Sequence, residues 1–135
     1  MDLDKALSIS ASGMQAQTTR LRVIAENLAN QDTTGSTPGA KPYRRQTVTF
    51  ADQLNQASGA TEVTVKKIGT DASAFPQRYD PSHPAANARG YVSTPNVNSF
   101  VEVMDMREAQ RSYSANLQVM QVTRGLLTRA IAMLK

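Results

Sequence analysis

Apolar residues near the C-terminus recur on a three-four alternation. Val103, Met106, Tyr113, Leu117, Met120, Leu127, Ile131 and Leu134 share one stripe when Gln110 and Arg124 are counted in it. A seam of ten such positions, eight of them apolar, predicts a long helix with one adhesive edge. A strict heptad seam is narrower than the stripe of an ordinary core-facing helix, so the expected partner is another helix. The first thirty residues supply one. Leu3, Leu7, Met14, Leu21, Ile24 and Leu28 fall on the same alternation, with Ser10 and Gln17 as polar members and Ala11 and Ala25 widening the stripe. No proline interrupts residues 1–31, and Gly13 costs about 1 kcal/mol against alanine. The pattern predicts a mainly α fold: long N- and C-terminal helices packed as a coiled-coil hairpin, with a small extended or β-rich insertion between them. The expected divisions are helices over residues 1–31 and 97–135, forming one core domain, and the insertion over residues 32–96.

The insertion differs in kind from the ends. Residues 31–42 (QDTTGSTPGAKP) are rich in breakers, and Thr37-Pro38-Gly39-Ala40 places proline and glycine where a type II turn needs them. Residues 43–50 (YRRQTVTF) and 61–68 (TEVTVKKI) alternate as strands do, with Val48 and Phe50, then Val63 and Val65, on one face each. Residues 51–59 fit a short helical turn or a loop. From Asp71 to Asn98, Pro76, Pro81, Pro84 and Pro95 exclude any long element. So long an irregular stretch is expected to lie against something else, such as a neighbouring subunit.

Composition narrows the function classes. With three Phe, four Tyr and no Trp, a broad globular core has little to be built from, and the helix pair must carry most of the burial. The absence of cysteine removes disulfides and thiolate metal sites. The net charge of +4 is dispersed, with acids and bases balanced over residues 1–30, whereas a nucleic-acid binder concentrates its positive charge on one face. No apolar run approaches the roughly 20 residues of a membrane span. Asp2 and Asp4 stand where a cleavable signal carries positive charge.

Candidate chemistry is thin. His83, the single histidine, follows Asp80 closely enough for an oriented base, yet no cysteine or G-x-S-x-G serine offers a nucleophile. One histidine also cannot supply a zinc site. Residues 35–41 (GSTPGAK) depart from the phosphate-loop spacing and follow a helix where that motif follows a strand. Arg44 and Arg45 read as charged strand-edge residues. No catalytic residue, cofactor or metal is expected. The seam's polar members, Ser10, Gln17, Gln110 and Arg124, are either solvated edges or buried groups that fix helix register.

Several segments carry a family resemblance. Residues 12–17 (SGMQAQ), Arg20-Leu21, Asn27-Leu28-Ala29-Asn30 and Thr33-Thr34-Gly35 resemble the N-terminal signature of the bacterial flagellar rod and hook proteins. Pro42-Tyr43-Arg44-Arg45, Tyr79-Asp80-Pro81-Ser82-His83-Pro84, Gly90-Tyr91-Val92 and Pro95-Asn96-Val97-Asn98 are similar to the proximal rod branch of that family. Residues 104–116 (MDMREAQRSYSAN) fit it as well. The resemblance spans nearly the whole chain, in order.

The resemblance implies a structural function. Its terminal helices would line a helical tube that transmits torque and conducts later subunits. The implied partners are other copies, other proximal and distal rod proteins, a rod-to-ring adaptor and, during secretion, the flagellar type III export apparatus. The implied place is the periplasmic part of the flagellar basal body, reached without a cleaved signal, with no nucleic acid and no membrane span. Two alternatives stand beside it: another axial subunit of rod or hook, and a soluble coiled-coil adaptor or secretion chaperone that closes as a dimer.

Overall fold

The computed structural model of the chain describes residues 3–134. Met1, Asp2 and Lys135, which belong to the expected terminal segments and include the Asp2 of the signal-peptide argument, lie outside the described residues. Helix α1 runs Leu3–Ala29 and helix α2 runs Ser99–Ala132. Between them lie β1 (Gln46–Asn55), β2 (Ala60–Thr70), β3 (Gln77–Tyr79) and β4 (Tyr91–Ser93). Helix makes up 46% of the chain and strand 20%, so the fold is mainly α with a larger β share than the sequence pattern led us to expect. Among the described residues no helix is long and apolar enough to cross a membrane.

The local causes are plain. Asn98 caps α2, its side-chain oxygen accepting from the N–H groups of Phe100 at 3.1 Å and Val101 at 3.4 Å. Asn30 ends α1 by donating its side-chain amide to the Glu26 carbonyl at 2.8 Å. The predicted turn at residues 37–40 closes: Ala40 N–H reaches Thr37 O at 3.0 Å, and Gly39 takes the φ of +75° that type II requires. Strands β1 and β2 pair as a two-stranded sheet. They run further toward their connection than the alternation indicated, because Asn55 supplies a tight turn, its side-chain oxygen accepting from Ala57 N–H at 3.0 Å. Most of residues 51–59, expected as loop or helical turn, is therefore strand. The stretch expected to be irregular holds the small antiparallel hairpin β3–β4, registered Gln77↔Ser93, Arg78↔Val92 and Tyr79↔Tyr91.

The chain divides into two compact units. The first comprises the residues up to Leu21, Val48–Lys67 and those from Met106 on. Here α1 and α2 run antiparallel, with Gly13 against Asn116 and Arg20 3.5 Å from Glu108. A Cβ on Gly13 would lie 2.7 Å from the Asn116 amide nitrogen, so the helices approach closely through small and polar residues. Ala16 and Ala109 are buried, as are Ser10 and Thr123. The Ser12 hydroxyl accepts from Val63 N–H at 3.3 Å, and Ser8 hydrogen-bonds Glu62, fastening the hairpin to α1. The second unit comprises Arg22–Thr47 and Ile68–Asp105, with Val23, Ile24, Ala85 and Val92 at its centre.

The inward side of α2 takes up only part of the expected seam. Its buried and half-buried residues include Glu102, Met106, Ala109, Tyr113, Asn116, Met120, Thr123, Leu127 and Ala130. Met106, Tyr113, Met120 and Leu127 are shared with the apolar stripe, whereas Val103, Gln110, Leu117, Arg124, Ile131 and Leu134 are exposed. Apart from Leu134, each exposed member of the alternation is replaced inside by the residue before it. The cause is packing distance: close helices need small or hydrogen-bonding groups between them, and the larger apolar side chains turn outward. On α1, Leu7, Met14, Leu21 and Leu28 are half-buried and Ile24 is buried, while Ala11 and Ala25 face outward. Gln17 is half-buried, and its side-chain oxygen has no hydrogen-bond partner.

Candidate functional site

The densest chemistry lies in the second unit, where the residues of three expected motifs meet. Asn27, in the last turns of α1, is almost fully buried and uses its whole amide. Its nitrogen donates to Gln46 O at 3.0 Å and to a Glu102 carboxylate oxygen at 3.2 Å. Its oxygen accepts from Gln46 N–H at 2.8 Å and from the Tyr43 hydroxyl at 2.9 Å. Asn27 thus stands beside the first residue of β1 as a neighbouring strand's peptide group would, with every donor and acceptor satisfied. Burial pushes the Tyr43 phenol above its ordinary range, helped by the Glu26 charge.

Glu102 has no exposed surface at all. A carboxylate there is tolerable only with hydrogen-bonded, charged company. Arg45 provides it, donating from Nε to one Glu102 oxygen while its two terminal nitrogens lie 3.7 Å from Asp71 and 3.7 Å from Asp105. The Arg45 N–H also donates to the Asn96 side-chain oxygen at 2.8 Å. Arg44 donates to the carbonyls of Asp71 at 2.7 Å and Ser73 at 3.0 Å, and its guanidinium stacks 4.1 Å from the centre of the Phe75 ring. Asp71 is held below the usual carboxylate range, first by the Ser73 N–H and then by the two guanidinium groups. The irregular stretch after β2 is therefore tied to residues of this same chain.

Other expected site residues take quieter places. Both ring nitrogens of His83 are engaged: Nδ1 accepts from Ala85 N–H at 3.0 Å, and Nε2 lies 3.2 Å from the Thr34 hydroxyl. Such bonding assigns the Nε2–H tautomer and fastens the loop of Asp80, Pro81 and Pro84 to the Thr34-Gly35 turn. Pro42 is buried; Tyr79 is largely exposed. Ala29 is exposed, while Leu28 and Asn30 are half-buried. Among the described residues, no three His, Cys, Asp or Glu side chains gather as metal ligands do. What these groups do is hold segments of backbone together.

A second feature is the outward side of α2. Phe100 is 74% exposed and Val122 63%, and Met104, Val119 and Leu126 are also exposed. Large apolar side chains left in water along a whole helix are unusual for a subunit that works alone.

Residues 7–37 match the family model described as Flagella basal body rod protein, and residues 88–133 match Flagellar basal body rod FlgEFG protein C-terminal. The chain is 53% identical over 133 residues to the flagellar basal-body rod protein FlgC of Agrobacterium fabrum, covering 98% of this chain and 96% of that one. The chain belongs to the FlgC family of flagellar basal-body rod proteins. FlgC of Bacillus subtilis is 41% identical across 93% of this chain and 94% of its own length. FlgC of Escherichia coli O157:H7 is 36% identical across 98% of each. The protein is accordingly a structural subunit of the flagellar basal-body rod, and not an enzyme.

Reading this FlgC-family chain by apolar periodicity alone misses its best-buried ionisable residue. Glu102 stands between Val101 and Val103 in a stripe read for oil, and nothing local marks it as internal. Asn96 carries no local mark beyond its place in Pro95-Asn96-Val97-Asn98. The signal that points to Glu102 is the pairing of two adjacent arginines with two acids at three-residue spacing, Glu102 and Asp105, which share one helix face.

Proposed function

We propose that this chain is a proximal rod subunit. It polymerises with copies of itself, with other proximal and distal rod proteins and with a rod-to-ring adaptor, forming the periplasmic drive shaft and its export channel. It leaves the cytoplasm through the flagellar type III export apparatus, without a cleaved signal peptide. In this reading residues 1–31 and 97–135 are one axial core domain, their helices paired as a coiled-coil hairpin, and residues 32–96 are an insertion carried beside it. Leu7, Met14, Leu21, Ile24 and Leu28 then pack with Met106, Tyr113, Met120 and Leu127. Val103, Leu117, Ile131 and Leu134 meet the helices of neighbours.

The observation that carries the reading is the outward apolar side of α2. Burying one such side chain against a neighbour contributes about 1.5–3 kcal/mol, and a polymer repeats that gain in every copy. The test removes the contact and spares the fold. Val122→Glu with Leu126→Glu alters only exposed positions, so the purified monomer should keep its helix content by circular dichroism. Cells carrying the pair in place of the normal gene should export the protein, build no rod and not swim. Deleting the gene should leave an inner-membrane ring without a rod. Normal swimming in either strain would overturn the proposal.

A further inference from the structure

The β3–β4 hairpin carries an aromatic surface that nothing in its own unit covers. Tyr79 and Tyr91 are cross-strand partners whose rings meet edge to face, 5.3 Å between centres at 66°. Tyr79 is 65% exposed and Tyr91 42%. The exposure is built in. Gly90 holds φ at +80°, and a Cβ there would lie 2.9 Å from the Tyr79 ring and 3.2 Å from Pro81, so the turn keeps the ring close to its backbone. Beside Tyr91 a shallow depression of about 340 Å³ is lined by Gln77, Asn87, Ala88 and Arg89. Arg78 already pairs with Asp80 at 3.7 Å, whereas Arg89 is exposed and makes no ion pair among the described residues. Two tyrosines beside a free arginine form the kind of surface that dominates protein–protein contacts.

The complement stands on the same chain. In the first unit, the stretch from Ala51 to Thr64, at the connection of β1 and β2, contains Asp52 and Glu62 and no arginine or lysine. Leu54 there is 61% exposed. Asp52, two residues before it on β1 and therefore on the same strand face, is exposed and makes no ion pair among the described residues. Glu62 is occupied by Ser8 and Asn55, which leaves Asp52 as the acid available to a partner. An apolar side chain with a carboxylate beside it matches an aromatic pair with a guanidinium beside it, in charge and in chemistry.

We propose that the β1–β2 connection of one copy docks on the Tyr79–Tyr91 surface of a second copy, with Leu54 against the rings and Asp52 paired to Arg89. The two patches differ, so the contact is heterologous and passes from copy to copy without self-closure in pairs. It is separate from any contact made by the terminal helices, and it rests on the rod reading only in that copies must be neighbours.

The lack of natural cysteine makes the test clean. Leu54→Cys and Tyr91→Cys combined in one chain, followed by oxidation of isolated basal bodies, should yield dimers and higher multiples of this chain. Neither single variant should do so. Separately, Asp52→Arg and Arg89→Asp should each reduce the swimming halo about twofold or more, since like charges then meet, and the double exchange should restore it. Circular dichroism of the charge variants should be unchanged, as both positions are exposed. Basal bodies that contain the double-cysteine chain but give no multiples would overturn the contact and leave the rod reading intact. Basal bodies lacking the chain altogether would overturn the rod reading itself. A cross-linked band at another mass would mean that a different protein covers the tyrosines, and would overturn the self-contact. Failure of the charge exchange to restore swimming would overturn it as well.

Discussion

Replacing Arg45 by methionine tests the buried polar network directly. The change keeps an unbranched apolar stem and removes the guanidinium. Glu102 then retains only the Asn27 amide at 3.2 Å as a donor, in a position with no exposed surface. Breaking a buried pair by removing one partner costs about 3–5 kcal/mol, because the remaining charge is left uncompensated. That is a large part of the 5–15 kcal/mol that an ordinary domain has in total. Glu102→Gln is the contrasting variant. It keeps the shape, removes the buried charge, and leaves Arg45 beside Asp71 and Asp105, each 3.7 Å away. Its cost should be about 1–2 kcal/mol, the difference between a charge-assisted and a neutral hydrogen bond. In the double variant the glutamine no longer carries a charge to strand, so its cost should fall well short of the sum. Urea unfolding of the four purified monomers, followed by circular dichroism, gives the cycle. A loss under 1 kcal/mol for Arg45→Met, or strict additivity in the double variant, would refute the claim that Glu102 is a buried anion held by Arg45.

Other expectations follow from single contacts. Gly90→Ala forces a side chain into a left-handed backbone position, at about 1–2 kcal/mol, and against the Tyr79 ring; protease cleavage after Arg89 should quicken, and unchanged cleavage would refute the strained geometry. Asp71 and Glu62 both have carboxyls held below their ordinary values, Asp71 by the Ser73 N–H and Glu62 by the Ser8 hydroxyl. A depressed folded value gives stability that is present above the unfolded value and lost as pH falls through the folded one, so the urea midpoint should decline below about pH 4; a flat profile to pH 3 would count against it. His83→Ala should leave export intact and alter motility only as far as the Thr34 contact matters to assembly, and lost motility with normal rods would point to a chemical role. Leu127→Asp should be exported and build no rod, because an unpaired charge on the inward side of α2 costs several kcal/mol; normal swimming would show that side to be solvated.

The two helices, the strand pair and the type II turn at Pro38-Gly39 were legible because each has a local cause. Periodicity marks a helix whatever it packs on, and proline before glycine sets a turn by backbone sterics. The face of α2 was not legible for a physical reason. An apolar stripe records where burial is favourable, but not when or against which molecule. Val103, Leu117 and Ile131 belong to that stripe, yet in the single chain Glu102, Asn116 and Ala130 take the inward positions beside them. The family motifs behaved differently. Asn27 and Tyr43 stand in the signature with no role of their own, and Arg45 reads as a strand-edge charge, yet the structure brings all three together around Gln46 and Glu102. His83 and Thr34, from separate motifs, also meet.

The two sides of α2 then admit one argument. Within the chain, its inward side interleaves Met106, Tyr113, Met120 and Leu127 with Glu102, Ala109, Asn116 and Thr123, and these last four are charged, small or polar. Such groups fix position, because each needs one particular partner, but they contribute little hydrophobic stabilisation. Outward stand Phe100, Met104, Val122 and Leu126, which contribute hydrophobic stabilisation and specify little. A monomer arranged the other way would be stable alone and have nothing to gain from company. In this chain specificity is spent on the fold and adhesion is kept for neighbours. The consequence is measurable in the purified monomer. Amides near Asn27 and Glu102 should exchange slowly, since the polar network holds them without help. Those in the C-terminal half of α2, whose apolar surface awaits a partner, should exchange quickly and become protected on assembly. Uniformly slow exchange along α2 in the monomer would mean that the helix is already stable without neighbours, and the division of labour argued here would fail.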